Sequence, residues 1–287
     1  MPLIEADGRS LFAESFGNPD DPALLLIAGM TSQLTSWPEE FCEALVDRGF
    51  FVIRFDNRDV GLSTKYNDRD PYSLADMADD CVQVLNHFDA APAHVMGMSM
   101  GGMIAQIQAI EQPETMLSMI SYASCTAHPD FGNPTEEAVL ALLHPPATTR
   151  EEAEAVGVAG KRVWGTPDTW DEAEWAAFSG DNFDRSPPVE GSGLRQFVAV
   201  ELAGQWDDDL AKIDVPTLVI HGSIDPLINP DGGQHTAELI PGATYEEIEG
   251  MGHDLPITEW PHIVSLVTAH AVSAANGARG QSLLEGA

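Results

Sequence analysis

The chain has 287 residues, 44% of them hydrophobic, and a formal net charge of -33 from 46 acidic against 13 basic side chains. This length suits one α/β core carrying an insertion. Such acidity repels phosphate backbones and anionic lipid, which argues against nucleic-acid and membrane partners.

No apolar stretch approaches the roughly 18 residues of a membrane span. MPLIEADGRS shows no basic segment followed by an apolar one, so the reading is cytoplasmic. Self-repulsion on this scale is tolerable where salt screens it, pointing to a salt-rich setting. Cys42, Cys81 and Cys125 form no C-x-x-C pair and read as small buried hydrophobes in a reducing compartment.

Residues 2–16 predict two short strands about an Asp7-Gly8 turn, and the apolar run at 23–28 a fully buried strand. Ser36 with Glu39 is a capping-box pattern, Pro38 suits the first helical turn and Gly49 a stop. Phe41, Leu45 and Arg48 fall at helical spacing between them. FFVIRF (50–55) is the next buried strand. Ser73 with Asp76 opens a helix whose Leu74, Met77, Cys81, Leu85 and Phe88 share a face. Residues 93–98 predict a strand ending at Ser99, 100–111 a helix and 116–123 another strand. The alternation implies a mainly parallel sheet covered on both faces, with ligands gathered beyond the carboxyl ends of its strands.

From 128 to 206 tryptophans, prolines and short acidic helices replace that rhythm, predicting an inserted helical cap. Strands resume at 216–222 and in 243–256, and a closing helix lies near 259–274. The core is therefore 1–127 with 207–274, and 275–287 reads as an unstructured tail.

HVMGMSMGGM (94–103) places Ser99 between Gly97 and Gly101 at a strand-to-helix corner. A serine hydroxyl attacks a carbonyl only if a base takes its proton and it stands clear of crowding. The G-x-S-x-G turn meets the second need; the blander reading is a serine that caps the helix. A nucleophilic serine in this turn calls for a later acid and histidine. Asp225 follows a buried strand, and His253 lies in a glycine-rich loop after the next one, giving the triad Ser99, Asp225, His253. His253 would take the proton and Asp225 would fix its tautomer. Asp130 is the rival acid, His221 reads as structural, and Asp254 has only adjacency to His253 in its favour. The amides of Met100 and Met30 are the candidate oxyanion hole.

In the order LLLIAG, IRFDNRDVGLS, GMSMGG, LVIHGSIDP, GMGH, the chain resembles the α/β-hydrolase family over nearly everything outside the cap. RFDNRDVGLS, GMSMGGMIAQ and ALLLIAGMTSQLTSWPEEF look most like the aclacinomycin methylesterase group, which cleaves a methyl ester on an aromatic polyketide. The resemblance implies an α/β-hydrolase fold with a mainly parallel eight-stranded sheet, the same triad and the same two amides. Asp56, Arg58 and Asp59 then read as structural, an ion pair fixing their loop.

The expected activity is hydrolysis of small-molecule carboxylic esters through an acyl-enzyme, with no metal or organic cofactor, by a monomer or homodimer. Rivals are a lactonase or carbon-carbon bond hydrolase, a cofactor-free perhydrolase, and a non-catalytic ligand-binding relative. Dehalogenases and epoxide hydrolases of this fold need an aspartate where this chain has Ser99. Trp164, Trp170, Trp175, Phe178, Phe183 and Trp206 either line an apolar pocket or form the cap's core. Because the base must be neutral to act, activity should decline as acid protonates His253.

Overall fold

Every residue of Ala23–Ile27 is buried, and this strand becomes the middle of a sheet in the computed structural model, which describes residues 3–6, 8–67, 71–142 and 144–285. In chain order the elements are β1 (Leu3–Ala6), β2 (Arg9–Phe16), β3 (Ala23–Ile27), α1 (Glu39–Val46), β4 (Phe51–Phe55), α2 (Leu74–His87), β5 (Ala93–Met98), α3 (Met100–Glu111) and β6 (Met116–Tyr122). There follow four helices, α4 (Glu136–Leu142), α5 (Arg150–Trp164), α6 (Glu172–Arg185) and α7 (Ser192–Ala203), and the single turn α8 (Asp207–Leu210). The chain closes with β7 (Thr217–Gly222), α9 (Pro230–Leu239), β8 (Thr244–Ile248) and α10 (Trp260–Glu285).

The strands form one eight-stranded sheet in the order β1-β2-β4-β3-β5-β6-β7-β8. β1 pairs antiparallel with β2 and β2 with β4; every other pairing is parallel. Side chains alternate across β3, so Leu25 and Ile27 enter a core under α2 and α3, while Leu24 and Leu26 enter a second core under α1 and α10. Two covered faces explain why β3 reads as an unbroken apolar run. Among the described residues no helix is long and apolar enough to cross a membrane.

The capping box at Ser73 forms as expected: its side chain accepts from the Asp76 amide, and Asp76 accepts from the Ser73 amide. That expected at Ser36 does not. Leu34–Ser36 is a 3-10 turn closed by the Trp37 amide on the Leu34 carbonyl, which moves the start of α1 to Pro38 with no side-chain cap. Helix α9 gave no sequence signal, because Gly232 and Gly233 dilute its helical pattern. Of the expected first turn, Asp7 lies outside the described residues. The last helix runs to Glu285 where a tail was expected from 275; no proline interrupts that stretch, and 286–287 lie outside the described residues.

β5, which delivers Ser99, carries a buried histidine. His94 meets Ser118 Oγ through Nδ1 at 2.8 Å, and burial, assisted by His270, pushes its pKa down to about 4. An ordinary imidazole titrates near ~6.5, so the unfolded chain takes up this proton first. Stability from neutral His94 is complete above that value and is lost as pH falls toward the folded one. The expected loss between pH 7 and 5 is about 2 kcal/mol. Urea unfolding at the two pH values checks it, with His94→Gln flattening the difference.

Candidate active site

β5 ends in a corner that only small neighbours permit. Ser99 has φ 57° and ψ -124°, a strained conformation for a residue with a side chain, and it stands at the start of α3 without making a side-chain cap bond. The capping interpretation therefore lacks its bond. Backbone bonds hold the corner: the Ser99 amide donates to the Tyr122 carbonyl at 2.9 Å, and Ser124 Oγ donates to the Ser99 carbonyl at 2.7 Å. A Cβ on Gly97 would fall 2.0 Å from the Gly101 carbonyl oxygen, and one on Gly101 would fall 2.3 Å from that of Ile27. Main chain cannot retreat as a flexible side chain can. Gly97→Ala is expected to cost about 3 kcal/mol or more, read from the urea midpoint.

Asp225 and His253 come from the loops after β7 and β8, at the same carboxyl edge of the sheet. Asp225 Oδ1 accepts the amides of Leu227 and Ile228 at 2.9 Å each, which leaves Oδ2 to meet His253 Nδ1 at 2.6 Å. His221 Nε2 lies 3.4 Å from the same Oδ2 and 2.8 Å from the Ile228 carbonyl. Burial alone would raise the Asp225 carboxyl, but His253 and His221 overcome it and hold the group well below the usual carboxylate range. The rival Asp130 is exposed, its amide turned to His128.

The histidine loop is fastened to the far end of α5. The His253 amide donates to the Trp164 carbonyl at 2.6 Å and the Gly252 amide to Thr166 Oγ1 at 2.9 Å. Asp254 does not join the His253 imidazole. Its carboxylate takes Lys161 Nζ at 2.5 Å and Thr166 Oγ1 at 2.6 Å, and its carbonyl accepts Tyr122 Oη–H at 2.6 Å. Tyr122 thus ties the backbone of Ser99 to the neighbour of His253.

The loop after β3 presses on the serine from the other side: a Cβ on Gly29 would approach Ser99 Cβ to 3.2 Å. Among the described residues no protein acceptor takes the Met30 or Met100 amide. Met100 opens α3, where the helix dipole favours negative charge. Both methionines pack in the α2/α3 core.

The expected ion pair within Asp56, Arg58 and Asp59 is replaced by three longer-range pairs. Arg58 reaches Asp80 of α2 at 2.6 Å, Asp56 receives Arg185 of α6 at 2.8 Å, and Asp59 receives Arg195 of α7 at 2.9 Å. The residues are structural, but their loop is fixed by partners outside it. Lys161, Arg185, Arg195 and Gln196 escaped the sequence reading, since polar side chains within amphipathic helices carry no local sign of a distant partner, and Thr166, in the turn after α5, carries none either. Among the aromatics, Trp206 is buried core, its Nε1 donating to Gln106 Oε1 at 2.9 Å. Trp175 donates to the Gly157 carbonyl at 3.0 Å and lies against Phe178, with ring centroids 5.0 Å apart.

Comparison with known proteins agrees with this fold. The family model described as the alpha/beta hydrolase fold matches residues 22–259. Rhodomycin D methylesterase DauP of Streptomyces sp. (strain C5) is 32% identical, with 95% of this chain and 98% of that protein covered. 3-Oxoadipate enol-lactonase 2 of Acinetobacter baylyi (strain ATCC 33305 / BD413 / ADP1) is 26% identical over 86% of this chain and 87% of its own. The esterase RhEst1 from Rhodococcus sp. ECU1013 superimposes with a TM-score of 0.77 at 21% identity, covering 94% of this chain and 98% of that one. The chain belongs to the α/β-hydrolase-fold family.

Proposed function

We propose that the protein is a serine-dependent hydrolase of carboxylic esters, with Ser99 as nucleophile, His253 as general base and Asp225 as its orienting acid. The observation that carries this reading is the 2.6 Å bond between Asp225 Oδ2 and His253 Nδ1. It leaves the other imidazole nitrogen for proton transfer, at the sheet edge where Ser99 stands clear of any capping role.

Ser99 Oγ attacks the ester carbonyl as His253 Nε2 takes its proton. The oxygen that becomes negative is received by the Met30 and Met100 amides, each such donor being worth roughly 100- to 1000-fold in rate. The imidazolium then protonates the departing alkoxide and the alcohol leaves. A water activated by the same histidine cleaves the acyl-enzyme, releasing the acid and restoring Ser99.

The substrates proposed are small esters, methyl esters of bulky aromatic acids first among them, a choice supported by the 32% identity to a methylesterase. Residues 128–206 act as the cap over them. The 26% identity to an enol-lactonase favours lactones as the second reading. On the same reading the enzyme works in the cytoplasm as a monomer or homodimer, its acidic surface suited to salt.

A fluorophosphonate probe should label the wild-type enzyme and not Ser99→Ala; equal labelling of both would end the proposal. Turnover of methyl esters of polycyclic aromatic acids, p-nitrophenyl esters of rising acyl length and lactones then separates the two substrate readings.

A further inference from the structure

The loop that offers the Met30 amide is a tight turn, closed by the Ser32 amide on the Gly29 carbonyl at 3.2 Å. Its third residue, Thr31, has φ 60°. A left-handed residue at that position is normally glycine, because a side chain favours the alternative turn in which the central peptide is rotated by about half a revolution. Something must hold the central Met30–Thr31 peptide in its less favoured orientation. The Thr31 amide hydrogen, which reports that orientation, donates to Gln196 Oε1 at 2.7 Å.

Gln196 is fully buried, and its Nε2 donates to the Arg58 carbonyl at 3.0 Å, so both ends of its amide are committed. The preceding residue, Arg195, grips Asp59 through two nitrogens at 2.9 and 3.1 Å, which fixes α7 against the loop after β4. One side chain from the insertion therefore joins the loops after β3 and β4.

We propose that Gln196 is a positioning residue for oxyanion binding: by holding the Thr31 amide it anchors the turn that carries the adjoining Gly29–Met30 peptide, whose N–H faces the developing charge. The inference rests on the ester-hydrolase reading of Ser99. It adds that the oxyanion hole is completed from the helical insertion and not by the core alone. Without that anchor the turn as a whole shifts, carrying the Met30 amide off its line to the oxyanion while leaving the ground-state substrate largely unaffected.

The test compares Gln196→Met, which fills the same space without hydrogen bonds, with Gln196→Glu, which keeps an acceptor for Thr31. Active sites are counted by titration, p-nitrophenyl ester turnover is measured, and a trifluoromethyl ketone, which adds to the serine as an oxyanion, serves as inhibitor. Gln196→Met is expected to lower kcat by about 10- to 100-fold with KM within about twofold, and to weaken the ketone by the same factor. Gln196→Glu should stay within about fivefold of wild type.

Unchanged kcat in the methionine variant, a fall in kcat without matching loss of ketone affinity, or a glutamate variant equally impaired would overturn the assignment. If the methionine variant does not fold, the glutamate variant decides alone, a loss beyond fivefold counting against the proposal. Turnover surviving in Ser99→Ala would instead sink the ester-hydrolase reading. An inert Ser99→Ala beside a fully active Gln196→Met would sink only this inference.

Discussion

Ser99→Ala is expected to lower kcat/KM by about a million-fold while moving the melting temperature by no more than about 2 °C. The two readouts separate because the hydroxyl makes no cap bond, while alanine keeps the Cβ and with it the same backbone strain at φ 57°. What survives should be the modest acceleration supplied by binding and the two oxyanion amides, roughly 1,000-fold over water. Steady-state kinetics on a p-nitrophenyl ester and a thermal melt of the same preparation check both halves. A variant that keeps a tenth of wild-type turnover would remove Ser99 from the chemistry.

Asp225→Asn is expected to cost about 10,000-fold in kcat. Oδ1 already serves the amides of Leu227 and Ile228. An asparagine would keep its oxygen there and turn its NH2 toward His253. Nδ1 must then accept, which places the imidazole proton on the nitrogen that should receive the proton of Ser99. The pH dependence of stability provides an independent check. Since the folded carboxyl is held below its ordinary value, its stabilising contribution is present above about 3.9 and vanishes as pH falls through the folded value. The variant should therefore be less stable than wild type at pH 7, the gap closing only in strong acid. Urea titrations at pH 7 and below 4 would show this.

What the sequence made legible was whatever neighbours along the chain decide. The runs at 23–28 and 93–98 announced strands that the structure buries, because both their faces are covered. The spacing around Ser99 announced the corner, because the steric demand falls on residues two positions away. Order along the chain then brought out Asp225 and His253. Composition could not separate Asp225 from Asp130; what favours Asp225 is its bond to His253 where the loops after β7 and β8 meet. The capping box failed at Ser36 because a local 3-10 turn claimed that residue first. The partners of Asp56 and Asp59 stayed hidden for a different reason: Arg185 and Arg195 lie more than a hundred positions away on helices whose own pattern gives no hint of them.

Those distant partners bear on how residues 128–206 are held. Three carboxylates of the core, Asp56, Asp59 and Asp254, are matched to three cations of the insertion, Arg185, Arg195 and Lys161. Deleting one partner of such a buried pair strands the other charge and costs roughly 3–5 kcal/mol. Residues 128–206 are thus pinned at three points, two in the loop after β4 and one beside His253.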